Sequence, residues 1–172
     1  EPDFDSTDAR QWPTIGDKSL SGYERKRFFR NEGRESFVEI AAQAGLAHEG
    51  DGRGLVVFDY DNDGDLDLYV ANQNQKGVLF RNNLDGGGRW IGFVVAGRAS
   101  GIGTRFTLVA GERKQIREVD GGNGYASQSD RRVFFGLGER GGVDRVEIRW
   151  PGGRTQTLDH PAINMFHTVA MP

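Results

Sequence analysis

Beyond Gly54 no patterned run in the chain lasts longer than about ten residues before a turn interrupts it. The 172 residues include 26 glycines against five prolines, and the glycines fall between Val/Ile/Phe runs rather than at every third position. Collagen is thereby excluded, and a turn-rich all-β protein is the fold class that such punctuation specifies. Strands are expected at 54–58, 67–72, 77–82, 89–97, 103–110, 113–120, 131–137, 143–150, 154–158 and 165–170. The clearest alternation sets Val146, Ile148 and Trp150 inward against Arg145, Glu147 and Arg149 outward, the pattern of a half-buried antiparallel strand.

One short helix is expected over about 37–44. Ser36 and Glu39 read as a capping box, Phe37, Ile40, Ala41 and Ala44 as an apolar face, and Gly45 as the stop. Residues 1–20 are polar and aperiodic, an extended arm in which Trp12 is the residue worth burying. SGYERKRFFRN (21–31) reads as a strand with its basic residues on the wet face. NLDGGGR (83–89) marks the expected boundary, dividing the chain into an arm (1–20), a first unit (21–88) and a β domain (89–172). FFRNEG (28–33) is echoed by LFRNNL (79–84), a spacing on the scale of propeller blades.

A formal net charge of −3, with Arg and Lys interleaved among acids, offers no nucleic-acid face. Cysteine is absent, which excludes thiolate chemistry, and no apolar stretch approaches the ~18 residues of a membrane span. There is no Asn-x-Ser/Thr acceptor for N-glycosylation. A first residue of Glu1 rather than Met reads as a mature secreted product or a fragment, with secretion and an extracellular location expected.

The chemistry concentrates in FDYDNDGDLDLYV (58–70), where Asp59, Asp61, Asp63, Asp65 and Asp67 alternate between two apolar runs. Counting Asp59 as position 1, carboxylates stand at 1, 3, 5 and 9, Gly64 at 6 and Asp65 at 7. Calcium takes about six to eight hard oxygens from a flexible loop, and its twelve-residue solution uses side chains at 1, 3 and 5, glycine at 6 and a carbonyl at 7. Here position 12 is Val70 rather than a bidentate Glu, and the flanks are strands, so the expected site is an EF-hand-like Ca²⁺ loop on a β-hairpin, closed by Asp67. Asp65 is expected to offer its carbonyl. Magnesium, which demands a tight octahedron, fits less well.

With these residues in view, the D-x-D-x-D-G-x-x-D loop between strands resembles the FG-GAP/VCBS repeat, the calcium-binding blade unit of integrin-type propellers. SFVEIAAQAGL, DGRGLVVFDYDNDGDLDLYVANQNQ and LFRNN extend the likeness. GIGTRFTLVAGERKQIREVDGGNGYASQSDRRVFFGLG and VDRVEIRWPGGRTQTL are similar to the ASPIC/UnbV domain found at the end of many bacterial secreted proteins. The resemblance implies metal ligation by Asp59, Asp61, Asp63, Asp65 and Asp67. With one complete loop present, it also implies a single blade-like unit packed with a C-terminal antiparallel β-sandwich or barrel-like domain, or with another chain.

The expected function is a secreted, calcium-binding, non-catalytic interaction module. Its partners are expected to be proteins, its own copies in oligomers or filaments built by strand addition, or extracellular glycans. The alternative is a calcium-dependent glycan-binding or glycan-processing domain, which would need Asp120 to meet Asp130 or Glu118 in a cleft. GNGYASQSD (122–130), GLGERGG (136–142) and GIG (101–103) read as structural turns, none opening a helix that would cradle phosphate. His48, His160 and His167 are too dispersed to form a triad, and Trp90 and Trp150 read as core anchors.

Overall fold

The computed structural model describes residues 10, 14, 24–33, 35–84, 88–97, 101–125 and 127–171. Trp12 and most of the N-terminal arm, along with part of the 83–89 segment, lie outside them. Tertiary contacts divide the chain into two units, residues 1–53 with 71–78 and residues 54–70 with 79–172.

In the first unit, β1 (Phe29–Gly33) and β2 (Ser36–Glu39) form an antiparallel hairpin with Arg30 opposite Val38 and Asn31 opposite Phe37. This corrects the expected helix at 37–44. A two-turn helix is marginal on its own, and here Phe37 and Val38 enter a strand ladder instead. Glu39 does not reach back to Ser36; its Oε1 accepts the Ala41 amide at 2.7 Å. The helical stop survives without the helix. Gly45 adopts φ +72°, its amide donates to Ala42, and Leu46 donates to the Ala41 carbonyl at 2.7 Å. That 6→1 and 5→2 pair is the Schellman arrangement, closing a single turn.

Every expected strand from 54 onward forms. β3 (Gly52–Phe58), β4 (Asp67–Asn72) and β5 (Val78–Phe80) make a three-stranded sheet in that order. β6 (Arg89–Ala96), β7 (Arg105–Ala110), β8 (Arg113–Glu118), β9 (Val133–Gly138), β10 (Arg145–Arg149), β11 (Thr155–Asp159) and β12 (Phe166–Ala170) build two further sheets, ordered β11-β10-β7-β8 and β12-β6-β9. Neither closes into a barrel. One pairing departs from the antiparallel expectation: β12 lies parallel to β6, Phe166 opposite Gly92. Parallel neighbours need a crossover connection, which β11 and the segment after it supply by carrying the chain from one sheet to the other.

Alternation decides what these two sheets bury. Phe106 and Leu108 of β7, Phe135 and Leu137 of β9, and Val146 and Ile148 of β10 are all inaccessible, with Thr107, Gly136 and Glu147 between them. They join Ile91 and Phe93 of β6 in one core. Phe93 stacks on Phe106 across the two sheets, with centroids 5.0 Å apart. Each such side chain contributes about 1.5–3 kcal/mol on burial. Trp150 joins this core, as expected. Trp90 does not: preceding inward Ile91, it points to the opposite face of β6, where it stacks on Phe134 at 5.1 Å and meets Phe166 at 4.9 Å.

Candidate metal centre

The turn between β3 and β4 holds the five aspartates, and the second unit shapes it from three directions. Below, Trp90 is its floor. Gly64, at φ +95°, lies so close that an added Cβ would meet the indole Nε1 and sit 2.5 Å from Cδ1. From the side, Arg132 donates to the Asp59 carbonyl and to Asn62 Oδ1, each at 2.8 Å. Its guanidinium also pairs with Asp130 and lies 4.6 Å from the ring centre of Phe166. Ser129 Oγ accepts the Val57 amide at 3.1 Å, and the Asp130 amide donates back to the Val57 carbonyl at 3.2 Å. From the β5 side, the Asn82 amide donates to Asp67 Oδ1 at 2.7 Å, and Arg81 Nη2 lies 2.6 Å from Asp61 Oδ2.

Asp59, Asp61 and Asp67 converge, each offering a carboxylate oxygen within 4.8 Å of the others. Asp59 and Asp67 are buried, at 3% and 1% exposure. Their roles differ. Asp67 is a strut, accepting the Tyr60 amide at 2.8 Å through Oδ2 and the Asn82 amide through Oδ1. Asp59 accepts the Gly64 amide at 3.2 Å through Oδ2, while its Oδ1 has no hydrogen-bond partner, and Asp61 Oδ1 is likewise buried without one. Asp63 and Asp65 stand outside the trio: Asp63 Oδ1 accepts the Asp65 amide at 2.9 Å, and Asp65 Oδ2 accepts the Leu84 amide at 3.3 Å.

Burial pushes the Asp59 carboxyl above its ordinary range; the Gly64 amide, the nearby Asn62 amide and the Arg132 guanidinium pull it down, and Asp63 raises it slightly. A carboxylate oxygen removed from water without a donor is costly. Two such oxygens facing a third carboxylate, with no His or Cys ligand joining them among the described residues, fit a hard divalent cation of the calcium type. Asp59, Asp61 and Asp67 are the residues that would hold it, and the ion would supply the positive charge these oxygens lack.

Arg81, Asn82 and Arg132 were given no role by the sequence. The LFRNNL echo contained Arg81 and Asn82 without showing what they touch. In the echoed triplet, Arg30 pairs with Glu32, and Asn31 Oδ1 accepts the Gly33 amide at 2.8 Å. Arg132 had no signal, since its partners in the turn, Asn62 and Asp59, are 70 and 73 residues away in the chain.

Glu118, Asp120 and Asp130 line one cavity of about 220 Å³, with Asn123, Ser129 and Arg117. Two of its acids are already engaged: Glu118 accepts from Arg105 at 3.0 Å, and Asp130 pairs with Arg132. Two of the three histidines are occupied elsewhere. His48 Nδ1 accepts the Gly50 amide at 3.0 Å, and His167 Nε2 bonds the Ala162 carbonyl at 2.7 Å. Among the described residues, no helix is long and apolar enough to cross a membrane.

Comparison with known proteins agrees with the order of the two halves. Residues 17–70 match the family described as FG-GAP-like repeat, and residues 95–172 match ASPIC and UnbV. The acidic turn lies inside the first match and Arg132 inside the second. The chain is 30% identical over 161 residues to cartilage acidic protein 1 of Mus musculus, covering 88% of this chain and 25% of that protein. The figures for the Homo sapiens protein are 30%, 88% and 24%, and for Xenopus tropicalis 28%, 85% and 24%. The chain thus spans about a quarter of the length of the curated relatives it matches.

Proposed function

Because the chain carries an FG-GAP-like repeat ahead of an ASPIC and UnbV domain, we propose that it is a calcium-braced, non-catalytic interaction module of an extracellular protein. The observation that carries this reading is the buried Asp59 Oδ1, which has no hydrogen-bond partner and faces the carboxylates of Asp61 and Asp67. Calcium held by Asp59, Asp61 and Asp67, with Asp63 and Asp65 completing the oxygen set, ties β3 to β4. Through the Asp59 carbonyl and Arg132 it also ties that hairpin to the strand pair around β9. The ion organises a surface and does no chemistry.

Extracellular calcium sites bind at roughly 10⁻⁴–10⁻³ M, and at about ten times Kd the ion adds ~1.4 kcal/mol of stability. Thermal melts with calcium, with magnesium and with chelator test this. The expected order of melting temperature is calcium above magnesium above chelator; identical melts in all three would remove the metal reading.

The partner in this reading is a protein, with other copies of the chain as the first candidate. The β1–β2 hairpin supports it, since all nine residues of its strands are exposed and Phe37 reaches 63%. Size-exclusion of the full chain against one lacking residues 1–20 tests strand addition by the arm, and identical monomeric elution of both would exclude it. The second reading, a calcium-dependent glycan site, draws on the cavity lined by Asp120, Asp130 and Glu118. A glycan array and a hydrolysis screen with Asp130→Asn as control distinguish it.

A further inference from the structure

We propose that Arg81 is the resident counter-cation of the acidic turn, displaced when a divalent ion loads, so that it sets the calcium concentration at which the turn fills. The inference rests on the reading of this turn as a calcium site. Two arginines reach the turn, and their settings are opposite. Arg132 touches the Asp59 carbonyl and the Asn62 side chain rather than a converging carboxylate, is paired with Asp130, and is stacked on Phe166. Its side chain is only 25% exposed, and its bonds remain compatible with an ion at the carboxylates.

Arg81 is placed otherwise. Its Nη2 lies 2.6 Å from Asp61 Oδ2 and 3.7 Å from Asp63 Oδ2, so it neutralises the very group that contributes to the converging trio. Its side chain is 54% exposed, and its ion pairs are with these two carboxylates. The guanidinium can therefore swing into water without breaking an ion pair to any other of the described residues. Its backbone cannot drift away, because the next residue's amide is bonded to the buried Asp67. The result is a tethered cation at fixed range, competing for Asp61 with any ion that enters. A divalent ion close to a guanidinium is repelled by it, and an exposed ion pair is weak enough to be exchanged.

Isothermal titration with calcium, paired with melts in chelator, tests this on the full chain as wild type, Arg81→Gln and Arg81→Lys. Arg81→Gln is expected to bind calcium roughly three- to tenfold more tightly and to melt a few degrees lower in chelator; Arg81→Lys, which keeps the charge, should stay near wild type. Wild type that binds calcium with Arg81→Gln binding equally or more weakly would overturn the role of Arg81 and leave the metal site standing. If neither protein binds calcium while both melt cooperatively, the metal reading fails, and the displacement proposal falls with it. Should Arg81→Gln not fold, Arg81→Met removes the same charge while keeping an unbranched side chain, and it too is expected to bind calcium more tightly than wild type; binding equal to or weaker than wild type would overturn the proposal.

Discussion

Gly64 lies against the indole of Trp90 so closely that no side chain fits between them, and its φ of +95° is one that L side chains rarely adopt. The ring cannot retreat, because Phe134 stacks behind it at 5.1 Å. Gly64→Ala therefore combines backbone strain with a clash on a packed ring. Left-handed backbone costs an alanine about 1–2 kcal/mol and overpacking about 1–3. A loss of about 2–5 kcal/mol is expected in urea denaturation, with or without calcium; a loss under about 0.5 kcal/mol would contradict the packing.

Asp67 and Asp59 separate structure from ligation. Asp67→Ala strands the Tyr60 and Asn82 amides, both bonded to it now. Both bonds are partly buried, and a donor stranded there costs about 1–2 kcal/mol, so the variant should lose about 2–4 kcal/mol even in chelator. Equal stability of Asp67→Ala and wild type in chelator would show that Asp67 is no strut.

Asp59→Asn behaves differently with pH. Burial raises the Asp59 carboxyl above its ordinary 3.8. A raised folded value means that folding favours the neutral acid, so its stabilising contribution is present in acid and is lost as pH rises through the folded value. In chelator, the stability of Asp59→Asn relative to wild type should therefore grow between about pH 4 and pH 7. Saturating calcium should reverse the order, because only the carboxylate ligates the ion. A difference flat across pH in chelator would contradict the burial of that charge.

The hairpin in place of a helix makes its own prediction. In a capped helix, Ser36→Ala would cost about 1 kcal/mol. In the structure Ser36 opens an exposed strand, while Glu39 Oε1 accepts the Ala41 amide. Ser36→Ala should change stability by less than about 0.5 kcal/mol, and Glu39→Ala should cost about 1 kcal/mol. Equilibrium denaturation of both variants decides, and a reversed order would restore the helix.

Strand positions beyond Gly54 were most legible where one face is buried and alternation records it directly, as in Val146, Ile148 and Trp150. The acidic turn was legible because its side chains lie close in sequence. The 36–45 stretch misled because its local signals were sound, down to the Gly45 stop, while the partner strand β1 outweighed them. The direction of β12, the outer face of Trp90 and the grip of Arg132 depend on residues far apart in the chain, and no local pattern encodes them.

That distance has a consequence for the order of assembly. Trp90 donates to Asn164 Oδ1 across 74 residues, and the Asn164 amide returns a bond to the Trp90 carbonyl. Contacts that span so much chain close late, after local hairpins such as β7–β8 and β10–β11 have formed. Until residues 164–170 arrive, β6 presents an open edge, and the ring beneath Gly64 lacks the backbone clasp that fixes it. During synthesis on the ribosome the acidic turn, which emerges before residues 164–170, would be among the last places to settle, and the β6 edge stays open to edge-to-edge mispairing until those residues arrive.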